Sequence, residues 1–170
     1  AVLAAEKALA FAEQHGSPNS HAMAQSLDDL AQAYQAQGKR DRAESLYERS
    51  VSIWERIRGP DHLAVAHCLI RLGELHTAQA RYAEAEALHR RALAIQEKAF
   101  GPDDPGLVMG LNGMANIHHA QSHYAKAEPL YLRALAIGEK ARGPDDLQLA
   151  PILNNLAILY VAQGQPTKAE

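Results

Sequence analysis

A proline recurs at Pro18, Pro60, Pro102 and Pro144, an unbroken spacing of 42 residues. The residues before it are Ser17, Gly59, Gly101 and Gly143, and residues 60–101 match residues 102–143 at 20 of 42 positions without a gap. A self-similar period of this length means that one small supersecondary unit is used several times over. Such a unit cannot bury its apolar face alone and folds by stacking on its neighbours. This predicts repeats at 18–59, 60–101 and 102–143, with a leading half-repeat at 1–17 and a partial repeat at 144–170.

Within each period the apolar residues fall at helical spacing. Leu27, Leu30, Ala31 and Tyr34 are followed one period later by Leu69, Leu72, Gly73 and His76. The next copies are Leu111, Met114, Ala115 and His118, then Leu153, Leu156, Ala157 and Tyr160. Steps of three, four and seven place each set on one helix face. A second helix carries Ala43, Leu46, Tyr47, Ser50 and Val51, repeated from Ala85 and again from Ala127. The small alanine allows two helices to cross closely, where a large side chain would overpack the contact. In the leading segment, Leu3, Leu9 and Phe11 are expected to form the core stripe.

The punctuation has a physical reading too. Glycine followed by proline ends the second helix at each period boundary. Gly38, Ala80, Ser122 and Gly164 fall at the turn between paired helices. Ser20, Asp104 and Asp146 are placed to cap the next helix, with Pro105 at its first position. Pro129 and Pro151 fall early in their helices, where they bend or delay a turn. Ala1 is in register with Ala43 and Ala169 with Ala127, so the segment is expected to be a piece of a longer array or larger protein.

The leucine, glycine or alanine, and aromatic pattern before the turn, followed by the alanine of the second helix, resembles the tetratricopeptide repeat. The phrases Leu153–Asn154–Asn155–Leu156–Ala157, Arg133–Ala134–Leu135–Ala136–Ile137 and Gly143–Pro144–Asp145–Asp146 are similar to the kinesin light chain type of that repeat. The resemblance implies an all-α fold, a right-handed α-solenoid of antiparallel helix pairs whose first helices line a concave groove for peptides. It carries no cofactor and no catalytic residue.

Helical spacing selects the groove positions as Gln25, Asp28, Gln32 and Gln35, then His67, Ile70, Glu74 and Thr77. The third set is Met109, Asn112, Asn116 and His119, and the last is Asn154, Ile158 and Val161. Asn112 and Asn116 lie one turn apart, and each amide both donates and accepts, as holding a peptide backbone requires. Asn155 resembles the backbone-holding asparagine of the family, and Arg71 occupies the matching place two repeats earlier. The expected peptide site is therefore Gln32, Arg71, Asn112, Asn116, His119, Asn154 and Asn155. The branch of the family that clamps a terminal carboxylate does so with lysines and an arginine around asparagines. Here the matching positions hold Asp28, Gln32, Arg71, Met109 and Gly113, so an internal peptide segment is expected instead.

Other chemistry finds little support. The net charge of −3 gives no general nucleic-acid or membrane attraction, and no run approaches the ~18 apolar residues of a membrane span. His118, His119 and His123 are dense, but His118 falls on the core stripe and His123 at a turn, so no metal site is expected. His76 and His89 read as hydrogen-bonded core histidines, and Cys68 as half-buried and unreactive. No phosphate-cradling loop, zincin motif or nucleophile elbow is present. The expected function is a non-catalytic protein-interaction scaffold in the cytoplasm. End-to-end self-association, or a regulatory array within a multidomain protein, is the alternative.

Overall fold

The computed structural model describes residues 2–17 and 19–165. These form eight α-helices and no strand: α1 (Val2–His15), α2 (His21–Ala36), α3 (Arg40–Arg58), α4 (Leu63–Ala78), α5 (Tyr82–Phe100), α6 (Leu107–Ala120), α7 (Tyr124–Arg142) and α8 (Ala150–Ala162). A 3₁₀ turn, Leu147–Leu149, leads into α8. The registers read from Ala1, Pro18 and Ala169 lie outside the described residues.

The turns fall where the period places them. Gly38, Ala80, Ser122 and Gly164 all adopt positive φ, at 74°, 58°, 59° and 70°. After Gly38, the amide of Lys39 donates back to the Tyr34 carbonyl at 3.0 Å; His123 does the same to His118 at 2.8 Å and Gln165 to Tyr160 at 2.9 Å. These are Schellman closures, which satisfy carbonyls that the helix end would leave open. Ala80 and Ser122 make this left-handed turn with a Cβ, at a steric cost of about 1 kcal/mol each.

Helix starts use several caps. The Ser20 hydroxyl accepts from the Met23 amide at 3.2 Å, and the Asp146 carboxylate accepts from Gln148 at 3.0 Å. The His62 ring nitrogen Nδ1 accepts from the Ala64 amide at 3.2 Å, at the position one period after Ser20 and one period before Asp104. Asp104 accepts from the Gly106 amide at 2.7 Å, but α6 starts only at Leu107. Pro105 is therefore in the preceding turn, not at the first helical position. Pro129 lies inside α7 without ending it, and Pro151 sits in the first turn of α8 behind the 3₁₀ turn.

The chain forms two compact units, Ala1–Ala80 and Arg81–Glu170. In the first, α1 packs on α2, α2 on α3 and α3 on α4. Met23, Leu27, Ala31, Ala43, Tyr47 and Leu69 are buried there, on the predicted faces or beside them. In the second unit α5 packs on α6, α6 on α7 and α7 on α8. Its core joins Leu111, Ala115, Ala127, Tyr131, Ala134 and Leu156 to Leu107, Ile137, Leu149, Ile152 and Leu159. Each fully buried leucine contributes roughly 1.5–3 kcal/mol over its exposed state.

Three expected core residues are not in it. Leu3 and Phe11 are each 65% exposed, although Leu9 between them is buried. Leu153 is 46% exposed, while its counterparts Leu27, Leu69 and Leu111 are buried. The first helices α2 and α6 pack against the helix that follows each of them, and no helix follows α8 among the described residues. A periodic pattern specifies a helix face, but burial needs a neighbour to cover it.

Candidate functional site

The second unit gathers three of the expected amides. Asn112 and Asn116 stand one turn apart on α6, and α8 packs beside that helix. Asn155 of α8 donates from Nδ2 to Asn116 Oδ1 at 3.0 Å and to Asn112 Oδ1 at 3.2 Å. The Tyr131 hydroxyl on α7 donates to the same Asn116 oxygen at 2.5 Å. Tyr131 is buried, which pushes its phenol up to about 12 and keeps it a neutral donor. Three helices thus hold one carboxamide cluster. The Nδ2 groups of Asn112 and Asn116 and the Oδ1 of Asn155 have no partner within it, and all three side chains are part-exposed. Two donors and one acceptor remain, the complement that a peptide backbone offers in turn.

The other expected site residues are arranged differently. Asn154 is exposed on α8, and His119 lies against the Tyr124 ring with centroids 5.5 Å apart. Met109, Ile158 and Val161 are exposed apolar side chains on α6 and α8. In the first unit Gln32 is exposed on α2, and Arg71 is spent on Glu74 at 3.2 Å. Gln35 Oε1 accepts from the Tyr47 hydroxyl at 3.0 Å, an amide–tyrosine pair like that of Asn116 and Tyr131.

Two predicted groove positions are corrected. Asp28 is 4% exposed and Ile70 is 2% exposed, so both are packed inside. Asp28 is covered because residues far away in sequence reach it. The Trp54 indole donates to its Oδ2 at 3.4 Å, and the Cys68 thiol approaches both oxygens at 3.2 and 3.3 Å. Ser50 completes the cluster, donating to the Ala24 carbonyl at 3.1 Å. Burial raises the Asp28 carboxyl, against lowering by the Cys68 and Trp54 side chains that donate to it. Burial, with Asp28 next, pushes the Cys68 thiol far up, so this fully buried cysteine is no nucleophile. The half-buried placement expected for it is thus corrected.

The histidines divide. His76 donates to Glu44 at 3.1 Å, as a hydrogen-bonded core histidine should. His89 does not follow it: it is fully buried, neither ring nitrogen has a partner, and burial alone lowers it to about 4. Its ring fits because residue 113 is glycine, where an added Cβ would come 2.2 Å from His89 Cε1. Among the described residues no group of three His, Cys, Asp or Glu side chains is placed to hold a metal ion. No helix among them is long and apolar enough to cross a membrane.

Helix pairs with Schellman turns at a 42-residue period, alanine at the crossings and an amide cluster on the first helices define a helical-repeat protein of the α-solenoid class. The tetratricopeptide repeat family matches residues 4–53, 22–98, 71–140 and 107–170, so the chain belongs to that family. Similar solved structures include BtubC (BKLC) from P. vanneervenii, at 22% identity and a TM-score of 0.81, over 97% of this chain and 66% of that one. A putative kinesin light chain from Podosopora anserina with nearly identical TPR-like repeats aligns at 24% identity and a TM-score of 0.77, over 99% of this chain and 80% of that one. A singly substituted form of that protein gives 24% and 0.79, over 99% and 79%. This chain spans just under two thirds of the BtubC chain, and at these identities the likeness establishes the fold alone. A search of curated proteins found no match. The neighbours are kinesin light chain-like repeat proteins, and repeats of this family mediate protein–protein interaction and are generally non-enzymatic.

Proposed function

We propose that the chain is a non-catalytic scaffold that binds an internal peptide segment of a partner protein, and that Asn112, Asn116 and Asn155 hold the peptide backbone. The observation that carries this reading is the Asn155 amide spanning both α6 asparagines at 3.0 and 3.2 Å, which orients their remaining donors. Asn154 and His119 flank the cluster, and Met109, Ile158 and Val161 supply apolar contact. Gln32 and Arg71 are secondary contributors, since Arg71 would have to leave Glu74 to meet a ligand. The repeat limits at 18–59, 60–101 and 102–143 and a cytoplasmic location belong to the same proposal. Affinity capture with the intact protein, followed by titration of the recovered peptide, tests it. Partners recovered equally well by an Asn112→Ala/Asn116→Ala chain would refute the site.

A second reading is self-association. Leu147, Leu153, Ile158 and Val161 expose apolar side chains in and around α8, and a patch of that kind favours contact with another protein surface. Sedimentation across a concentration series separates the two readings.

A further inference from the structure

The first unit carries a polar concavity that the amide cluster does not use. A cavity of about 260 Å³ opens between the N-terminal half of α2, the C-terminal end of α3 and the start of α4. Three imidazoles and one guanidinium line it, contributed by all three of these regions: His21 from α2, Arg58 from α3, His62 before α4 and His67 on α4. Arg58 is exposed and has no ion pair among the described residues, whereas Arg49 and Arg71 of the same unit are each matched to a glutamate.

One imidazole is prepared as a donor. His62 accepts the Ala64 amide at Nδ1, which puts its proton on Nε2. His21 and His62 are both held against the Trp54 ring, at centroid distances of 4.8 and 6.3 Å. One acid also lines the cavity. Asp28 has its carboxylate engaged from the core side by Trp54 and Cys68. Gln25 is tied to Asp29 at 3.2 Å.

We propose that this cavity is a phosphate-binding site, taking the phosphomonoester of a phosphorylated partner side chain or of a small molecule. Donors that converge from three directions suit three oxygens in a tetrahedral array. A planar carboxylate would leave some of them unfilled. Arg58 supplies the permanent charge, and the imidazoles supply directed N–H groups. The site is separate from the amide cluster, so it stands or falls apart from the proposed peptide docking.

Trp54 is the sole tryptophan of the chain and lines the cavity, so its emission reports on occupancy. The 170-residue chain would be titrated at constant ionic strength and about pH 6.5 with inorganic phosphate, a phosphoserine peptide, its unphosphorylated form and its glutamate analogue. A saturable change with phosphate or the phosphopeptide is expected. Arg58→Ala and His67→Gln should each weaken it at least about tenfold, and both side chains are exposed, so the fold tolerates their loss. Arg40→Ala, at the opposite end of α3, should leave it unchanged. Saturation by both phosphate and the phosphopeptide points to a phosphorylated partner; saturation by phosphate alone points to a small molecule. Absence of any saturable change, an equal response to the glutamate peptide, or equal losses in Arg58→Ala and Arg40→Ala overturns the proposal.

Discussion

Asn155 on α8 donates to Asn116 on α6 across 3.0 Å, and Asn116 takes a second hydrogen bond from buried Tyr131 on α7. One side-chain oxygen therefore ties three helices together. Its rotamer is set by Tyr131 and Asn155 within the protein, so the cluster is arranged before a partner arrives. Less ordering entropy then opposes binding.

The Tyr131 bond should be measurable alone. Tyr131→Phe keeps the ring and removes the hydroxyl donor, and is expected to cost about 0.5–1.5 kcal/mol in urea unfolding. It should also weaken peptide binding several-fold by releasing Asn116. Unchanged stability together with unchanged binding would show that the bond positions nothing.

Leu111 lies in the core of the second unit with Ala115, Tyr131 and Leu156. Leu111→Ala should destabilise by about 2–5 kcal/mol, combining lost burial with a cavity. Denaturant unfolding followed by far-UV circular dichroism would show this as a shift of the transition belonging to the second unit.

His89 predicts acid sensitivity with a definite sign. Its folded value is lowered to about 4, from 6.5 in the unfolded chain. Between these values the unfolded chain binds the additional proton, so stability is full above about pH 6.5 and declines as pH falls toward 4. The loss attributable to this one group has an upper limit of about 3 kcal/mol. His89→Leu, which removes the titration, should flatten the stability profile in that window; an unchanged slope would contradict the assignment.

Ser122 adopts φ 59° at a turn where Gly38 and Gly164 do the same without a Cβ. Ser122→Gly should stabilise the second unit by about 0.5–1 kcal/mol, the relief of left-handed strain exceeding the added unfolded-state entropy. Thermal melting is the check.

Much of this architecture was legible because the repeat states it several times. The period located Gly38, Ala80, Ser122 and Gly164, and all four turn with positive φ. Ala43, Ala85 and Ala127 were read as helix crossings, and all are fully buried. What the sequence left open depended on partners distant along the chain. Asp28 looks like a groove residue by helical spacing, yet Trp54 and Cys68 close over it from α3 and α4. Phe11 and Leu153 carry the right periodicity on faces that no described helix covers. His89 looks like a bonded core histidine until Gly113 is seen to leave room for its ring and no acceptor. The lone tryptophan and the scattered histidines His21 and His67 gave no periodic signal, and only folding brings them to one cavity with His62, which stands at the cap position of its repeat.

The most direct test of the amide-cluster site is calorimetric titration of a captured internal peptide, in free-acid and amidated forms, against the native chain and the Asn112→Ala/Asn116→Ala variant. Equal affinity for the two peptide forms is predicted, with binding by the variant at least tenfold weaker, about 1.4 kcal/mol, and its helical content and unfolding midpoint close to native. Binding that requires the free carboxylate, or a folded variant that binds as tightly as the native chain, would contradict it.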